Sequence, residues 1–191
     1  MTQVRNVAVV VGSLRKESVS RKLAKAFAAV TPNLKFDIVE IGDLPHFDQD
    51  LESDPPAQWV RFREQIAAAD AVLFITPEFN RSVPGALKNA IDVGSRPYGA
   101  SVWNGKPGAV ISQSPGAIGG FGSNHHLRQS LVFLNVPLLS QEAYIGNSFS
   151  LFDENGELVN EGTTEFLRAY GQAFSAWIDT IAPAQPAAKA A

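Results

Sequence analysis

Three short segments of this chain carry residue types that suit an anionic ligand with a flat ring. Loop 1 is GSLRKESVSRK (residues 12–22), loop 2 is TPEFNRSVPG (residues 76–85) and loop 3 is SQSPGAIGG (residues 112–120). Loop 1 combines hydroxyl groups with cations, loop 2 offers an aromatic ring and an amide, and loop 3 is rich in glycine. The secondary-structure elements around them decide whether the loops meet.

Loop 1 has the composition of a phosphate-binding turn. Donors are available from the hydroxyls of Ser13, Ser18 and Ser20 and from the N–H groups that begin the following helix, where the helix dipole adds positive potential. Arg15 offers a forked, charge-assisted contact, and Gly12 is expected to let the backbone turn sharply. An ordinary strand–helix turn with solvated cations is the alternative, and the loop by itself leaves it open.

The known motifs for larger phosphate groups are absent from loop 1. There is no GxxxxGK[ST] pattern with a Mg²⁺ ligand, which disfavours a P-loop nucleotidase. The GxGxxG pattern of dinucleotide-binding folds is also missing, although Glu40 lies near the end of the second predicted strand. Loop 1 therefore suits a single terminal phosphate better than a bridging pyrophosphate.

Loop 2 presents groups that could read the edge of a planar heterocycle. Pro77 stiffens the turn, while Glu78, Phe79 and Asn80 offer main-chain groups, a ring and an amide. The alternative is a strand-end turn in which Phe79 is simply packed and Asn80 bonds its own backbone.

Loop 3 leaves room for a ligand to approach the backbone. Gly116, Gly119 and Gly120 carry no side chains, and Ser114 adds a hydroxyl, although a flexible connection explains these glycines equally well. A serine hydrolase is disfavoured because Ser112 stands where the G-x-S-x-G elbow needs its first glycine.

Short apolar runs that alternate with helical periodicity predict how the loops are positioned. Strands are expected over residues 7–11, 36–41, 71–76, 107–112 and 136–140, with helices between them and after the last. This alternation predicts an α/β fold, a doubly wound parallel sheet with helices on both faces. Five strands favour the flavodoxin-like order 2-1-3-4-5, whose winding reverses between strands 1 and 3. Loops 1, 2 and 3 then follow strands 1, 3 and 4 and meet at one crevice.

Composition limits the classes of protein to which this chain can belong. The 191 residues are 45% hydrophobic and carry a net charge of −3, which predicts one domain over residues 1–182, a flexible tail over 183–191 and no nucleic-acid partner. The absence of cysteine excludes disulfides and thiolate chemistry and fits a cytoplasmic location. No apolar stretch is long enough for a bilayer, so no membrane association is expected. His125 and His126 are adjacent, so their side chains are expected to point in different directions on a helix. No metal site is expected.

The segments GSLRKES, TPEFNRSVPGALKNAID and SPGAIGG resemble the motifs of the bacterial NAD(P)H-dependent FMN reductase family, a flavodoxin-like group. Its members include quinone, azo-dye and chromate reductases. The similarity spans about residues 7–181, and NRSVPG…KNAIDVGSRPYG is especially similar to the azoreductase and quinone reductase branch.

The resemblance implies bound FMN, with NADPH or NADH as co-substrate. It implies phosphate contacts from Ser13, Arg15, Ser18 and Ser20. It also implies ring contacts from Pro77, Glu78, Phe79 and Asn80, and from Ser114, Pro115 and Gly116 along another edge. No catalytic side chain is implied, because the flavin carries the chemistry of hydride transfer to quinones, azo compounds or similar acceptors in a ping-pong cycle. The family also implies a homodimer or homotetramer.

Two positions depart from the family pattern, and one rival function stays open. The family often has Asn where this chain has Ser20, and usually has Tyr where it has Phe79, so a hydrogen bond from that ring is lost while its apolar contact is kept. The rival is a flavodoxin-type electron carrier without its own NAD(P)H oxidation. Such carriers typically have an acidic docking face and a phosphate loop without cations, which disfavours that function here.

Overall fold

Five parallel strands form one sheet, in the order β2-β1-β3-β4-β5, in the computed structural model, which describes residues 4–182. The strands are β1 (Arg5–Val11), β2 (Leu34–Val39), β3 (Ala71–Pro77), β4 (Gly108–Gln113) and β5 (Ala143–Ile145). The predicted flavodoxin-like order is confirmed. The tail predicted over residues 183–191 lies outside the described residues.

Strands β1, β3 and β4 end within two residues of one another, which places the three loops side by side. Val11 pairs with Ile75, and Ile75 pairs with Ile111, so the residues that follow each strand lie at the same edge of the sheet. Every residue of β3 and β4 is buried, and β1 is a run of alanine and valine over its last five positions. β-branched residues suit a strand that is packed on both faces.

Helices cover both faces of the sheet. They are α1 (Val19–Val30), α2 (Ala57–Ala68), α3 (Gly85–Ser95), α4 (Phe121–Phe133) and α5 (Glu161–Ile181). Side chains alternate along each strand, so Val9 and Ile75 pack against α1 and α5, whereas Val10 and Phe74 pack against α2, α3 and α4. Each such aliphatic or aromatic side chain contributes about 1.5–3 kcal/mol when fully buried. Within residues 4–182, no helix combines the length and the apolar character needed to cross a membrane.

The fifth strand differs from its prediction. It was expected over residues 136–140 but occupies Ala143–Ile145, which pairs with β4 from Ile111 to Gln113. The earlier segment touches the start of β4 through an isolated bridge between Gly108 and Leu138. Pro137 lacks an N–H group and cannot extend that pairing into a ladder, so the predicted position was wrong.

Candidate functional site

The three loops border one cavity at the carboxyl edge of the sheet. Its volume is about 240 Å³, and it is lined by Ser13, Arg15, Val19, Pro77, Glu78, Phe79, Gln113, Pro115 and Phe149. Loop 1 therefore contributes polar and cationic groups, and loops 2 and 3 contribute an aromatic ring and two prolines. Ser18, Ser20, Asn80, Ser114 and Gly116 are predicted site residues that do not line this cavity.

Loop 1 offers main-chain donors and an unpaired cation. The N–H groups of Ser13, Leu14 and Arg15 donate to no other residue between 4 and 182. Arg15 is exposed and forms no ion pair with the rest of the described chain. Ser18 is the N-cap of α1, and its Oγ accepts a hydrogen bond from Arg21 N over 3.2 Å. The start of α1 and the loop before it thus leave donors that are available to an anion.

Ser20 lies beneath the loop. It is fully buried, and its Oγ accepts a hydrogen bond from Gln113 Nε2 over 3.2 Å. The hydrogen-bond partner of Ser20 is thus Gln113 in β4. A phosphate contact from Ser20 stays a prediction.

Gly12 is required for space more than for backbone conformation. A Cβ atom at this position would lie 2.9 Å from Thr76 Oγ1 and 3.1 Å from Leu87 Cδ2. Gly12 N donates to Ile75 O over 2.9 Å, which continues the pairing of β1 with β3. Loop 1 and loop 2 consequently leave the sheet in van der Waals contact.

Loop 2 closes into a tight turn. Phe79 and Ser82 exchange two main-chain hydrogen bonds of 2.9 Å, and the two residues between them have positive φ angles, 52° for Asn80 and 64° for Arg81. Asparagine tolerates this left-handed conformation well, which accounts for its place at the tip. The turn leaves Phe79 52% exposed at the cavity, whereas Asn80 does not line the cavity.

The Glu78 side chain is engaged away from the cavity. Its Oε2 accepts a hydrogen bond from Ser123 N over 3.2 Å, in the first turn of α4, and its Oε1 lies 3.3 Å from Arg81 Nη1. A carboxylate at a helix N-terminus satisfies an unpaired N–H group and interacts favourably with the dipole. Glu78 also lines the cavity.

The glycines of loop 3 have different roles. Around Gly116 a Cβ atom would approach nothing closer than Ser114 Oγ, at 3.9 Å, so a ligand can reach this backbone. Gly119 and Gly120 have φ angles of 66° and 78°, and a Cβ atom on Gly119 would lie 2.7 Å from Tyr144 C. These two glycines let loop 3 pack on the sheet, and they allow α4 to begin at Phe121.

Three cavity residues were not among the predicted site residues: Val19, Gln113 and Phe149. Val19 is the first residue of α1. Gln113 ends β4, and a polar residue at the end of a wholly buried strand was the available signal. Phe149 is 62% exposed in the segment GNSFS after β5. That segment also begins at the carboxyl edge of the sheet, but the misplaced fifth strand concealed this position.

The two adjacent histidines point in different directions, as predicted. His126 Nδ1 lies 2.7 Å from Ser82 Oγ in loop 2, and His125 Nε2 lies 2.8 Å from Tyr144 Oη. Burial, together with a hydrogen bond to Glu142, raises the pKa of Tyr144 to about 12. Among residues 4–182, no cluster of three or more histidine or carboxylate side chains is placed to hold a metal ion.

Another cavity, of about 270 Å³, lies between α2 and the end of α3 and contains none of the predicted site residues. The arginine side chains that line this cavity are paired with other groups of the protein. Arg63 donates to the main-chain oxygens of Gly94 (3.2 Å) and Ala100 (2.8 Å), and Arg96 Nε lies 2.6 Å from Glu52 Oε1. Burial lowers the pKa of Arg63. The cavity bordered by the three loops is therefore the better candidate for an anionic ligand.

A sequence model of the NADPH-dependent FMN reductases matches residues 5–150, which include all three loops. The chain belongs to this family. It is therefore an NAD(P)H-dependent flavoenzyme rather than an electron carrier of the flavodoxin type, with FMN as cofactor and NAD(P)H as co-substrate.

Individual members of the family match over nearly the whole chain. A quinone reductase of Pseudomonas putida is 61% identical over 181 residues, which cover 93% of this chain and 97% of the relative. A 2-hydroxy-1,4-benzoquinone reductase of a Burkholderia species is 48% identical, over 90% of this chain and 95% of that protein. The solved structure of FerB, a flavoenzyme NAD(P)H:(acceptor) oxidoreductase from Paracoccus denitrificans, superposes with a TM-score of 0.89 at 43% identity and covers 94% of this chain and 100% of its own.

The residues of the cavity fit the cofactor of this family. FMN is anionic at its phosphate and flat and largely apolar at its ring. The N–H groups of loop 1 that have no acceptor among the described residues, and the charge of Arg15, suit the phosphate. The surfaces of Pro77, Phe79 and Pro115 suit the ring.

Proposed function

We propose that this protein is a quinone reductase that passes hydride from NADPH or NADH through FMN to quinones, with azo compounds as further two-electron acceptors. The observation that carries the proposal is that one cavity is lined both by Ser13 and Arg15 of loop 1 and by the aromatic residues Phe79 and Phe149. The quinone reductases among the relatives support the choice of acceptor.

Loop 1 holds the phosphate in this proposal. Ser13, Arg15 and Ser18 donate to it, and Ser20 supports the loop from below. Charge-assisted hydrogen bonds from a guanidinium and from main-chain N–H groups are among the strongest that proteins form with phosphate.

Loops 2 and 3 hold the ring. Pro77 and Phe79 give it apolar surface, and the main chains of Glu78 and Asn80 offer donors and acceptors along its edge. Ser114, Pro115 and Gly116 border another edge, where the absence of a Cβ on Gly116 leaves the backbone accessible. When bound, FMN supplies a ring nitrogen that accepts hydride from the nicotinamide and gives it to the acceptor. The apolar walls exclude water and so strengthen the electrostatic interactions inside the cavity.

The two substrates bind in turn in this proposal. Phe79 and Phe149 are exposed residues of the cavity lining. The nicotinamide and the quinone are proposed to use the same face of the flavin ring. A ping-pong scheme follows. Parallel double-reciprocal plots at several quinone concentrations are the expected result, and intersecting lines would indicate a ternary complex.

The protein is further proposed to be a single FMN-binding domain over residues 1–182, located in the cytoplasm and assembled as a homodimer or homotetramer. Strongly exposed apolar side chains support the assembly, since Tyr98 is 93%, Phe133 88% and Val132 64% exposed in the single chain. Sedimentation equilibrium measures the assembly directly, and a monomer at micromolar concentration would contradict it.

A steady-state panel tests the function. NADPH and NADH are each varied against a benzoquinone, an azo dye and ferricyanide, and the values of kcat/KM are compared. We expect FMN-dependent turnover with the quinone preferred over the azo dye. Oxidation of NAD(P)H that is independent of added quinone, or no oxidation by the FMN-loaded protein, would contradict the proposal.

A further inference from the structure

A buried glutamine joins two sides of the cavity. Gln113 is the last residue of β4, is 6% exposed, and lines the cavity beside Ser13 and Arg15. Its Nε2 donates to Ser20 Oγ over 3.2 Å, and its Oε1 accepts a hydrogen bond from Ser148 Oγ over 2.6 Å. Both serines are fully buried, so these bonds form inside the protein, where an unmade hydrogen bond is costly.

The two serines belong to two segments, far apart in sequence, that both contribute residues to the cavity. Ser20 is in the first turn of α1, directly after the main-chain donors of loop 1. Ser148 begins a short 3-10 helix, Ser148–Ser150, whose middle residue is Phe149. Ser148 N also donates to Ser114 O over 3.1 Å. The Gln113 amide therefore ties α1 and the segment that carries Phe149 to the end of β4, and the main-chain bond to Ser114 ties that segment to loop 3.

We propose that Gln113 is a positioning residue of the FMN site. It holds loop 1 and Phe149 at the separation that the mononucleotide requires; this rests on the proposed function. An amide suits the position because it donates through nitrogen to Ser20 and accepts through oxygen from Ser148. Leucine, of similar size, would leave both hydroxyls without that partner, and a carboxylate could not donate.

Gln113→Glu separates positioning from simple packing. A neutral carboxyl group donates and accepts as the amide does, whereas the ionised group only accepts and places a negative charge beside the phosphate site. Burial raises the pKa of a carboxyl group, so a large neutral fraction is expected in mild acid. At about pH 8 we expect the Kd of Gln113→Glu for FMN to be raised about tenfold relative to wild type at the same pH. At about pH 5 we expect it to approach the wild-type value.

Ser148→Ala removes one of the two hydrogen bonds and leaves Gln113 in place. Its matched control is Ser150→Ala, because Ser150 lies in the same short helix, is exposed, and bonds only Asn147 O among the described residues. We expect the Kd for FMN to rise several-fold in Ser148→Ala and to stay unchanged in Ser150→Ala. Gln113→Leu should raise it about tenfold at either pH, with no recovery in acid.

Quenching of flavin fluorescence by the apoprotein measures each Kd. Wild type that binds no FMN would contradict the proposed function itself. If wild type binds FMN, either of two results overturns the positioning role and leaves the proposed function standing. The first is a ratio of the Gln113→Glu Kd to the wild-type Kd that does not change with pH. The second is the same Kd for FMN in Ser148→Ala and Ser150→Ala. Should Gln113→Leu not fold, the two serine variants decide the matter in its place.

Discussion

The Glu78 carboxylate accepts a hydrogen bond from Ser123 N at 3.2 Å, so the loop that follows β3 caps the first turn of α4. A second contact, 2.7 Å between Ser82 Oγ and His126 Nδ1, joins the far end of the Phe79–Ser82 turn to the same helix. The turn that carries Phe79 is therefore held at both ends by α4, and the helix and the candidate flavin contact form one unit.

Loss of the Glu78 cap should reduce the stability of the protein. We expect Glu78→Ala to lower the free energy of unfolding by about 1 kcal/mol, because a main-chain donor of a helix terminus loses its partner. Glu78→Gln keeps an oxygen acceptor and should lie within a few tenths of a kcal/mol of wild type. Urea denaturation of the apoprotein gives both values, and equal stability of the alanine variant and wild type would refute the cap.

Arg15 should be necessary for tight FMN binding. We expect Arg15→Ala to raise the Kd for FMN roughly 10–100-fold, the loss of one charge-assisted hydrogen bond to phosphate. Lys16→Ala is the matched control, since Lys16 is the neighbouring exposed cation and does not line the cavity. Equal effects of the two variants would mean that the loop attracts FMN by net charge alone, without a specific contact.

The ring of Phe79 should act through apolar contact. Phe79→Tyr is expected to change the Kd for FMN by less than about twofold, because the ring is 52% exposed and the added hydroxyl can stay hydrated. Phe79→Ala should raise the Kd several-fold and leave the turn intact, since the turn is closed by main-chain bonds. A tyrosine variant that binds FMN much more tightly than wild type would show that the hydroxyl matters after all.

Tyr170 should make the fold sensitive to alkali. Burial raises the pKa of Tyr170 to about 12, and its Oη donates to Val110 O over 3.0 Å in β4. Since the pKa is higher in the folded than in the unfolded protein, this stability is present below about pH 10 and is lost as the pH rises from there toward about 12. The free energy of unfolding should fall by up to about 3 kcal/mol across this range.

Tyr170→Phe isolates that contribution. The variant should lose the share of the alkaline decline in stability that comes from Tyr170 and keep the share that comes from Tyr144, whose pKa is also raised to about 12. An unchanged decline in the phenylalanine variant would assign the alkaline sensitivity to other groups.

The central sheet was predictable from sequence because its signal is local. The apolar runs of β1, β3 and β4 are buried on both faces, and their order fixes the edge at which the loops meet. The fifth strand was misplaced because residues 136–140 have the apolar composition of a buried strand. Whether Pro137 prevents a ladder depends on how this segment meets Gly108 in β4, which lies far from it in sequence.

The site was predictable only where its residues form a motif. Loop 1 and loop 2 have recognisable composition, but the bond between Gln113 and Ser20 joins residues 93 positions apart and leaves no local pattern. Ser20 belongs to a motif that suggests a phosphate contact, yet its burial under loop 1 is a property of the packing. The demand for glycine at position 12 likewise comes from Thr76 and Leu87, which local sequence does not reveal.

Calorimetric titration of the apoprotein with FMN and with riboflavin tests most directly the claim that the three loops form one mononucleotide site. The two ligands share the ring and differ in the phosphate that loop 1 is proposed to bind. The account predicts one FMN per chain and riboflavin binding weaker by at least about 100-fold, as expected when several charge-assisted hydrogen bonds are absent. Equal affinity for the two ligands, or no uptake of FMN, would contradict it.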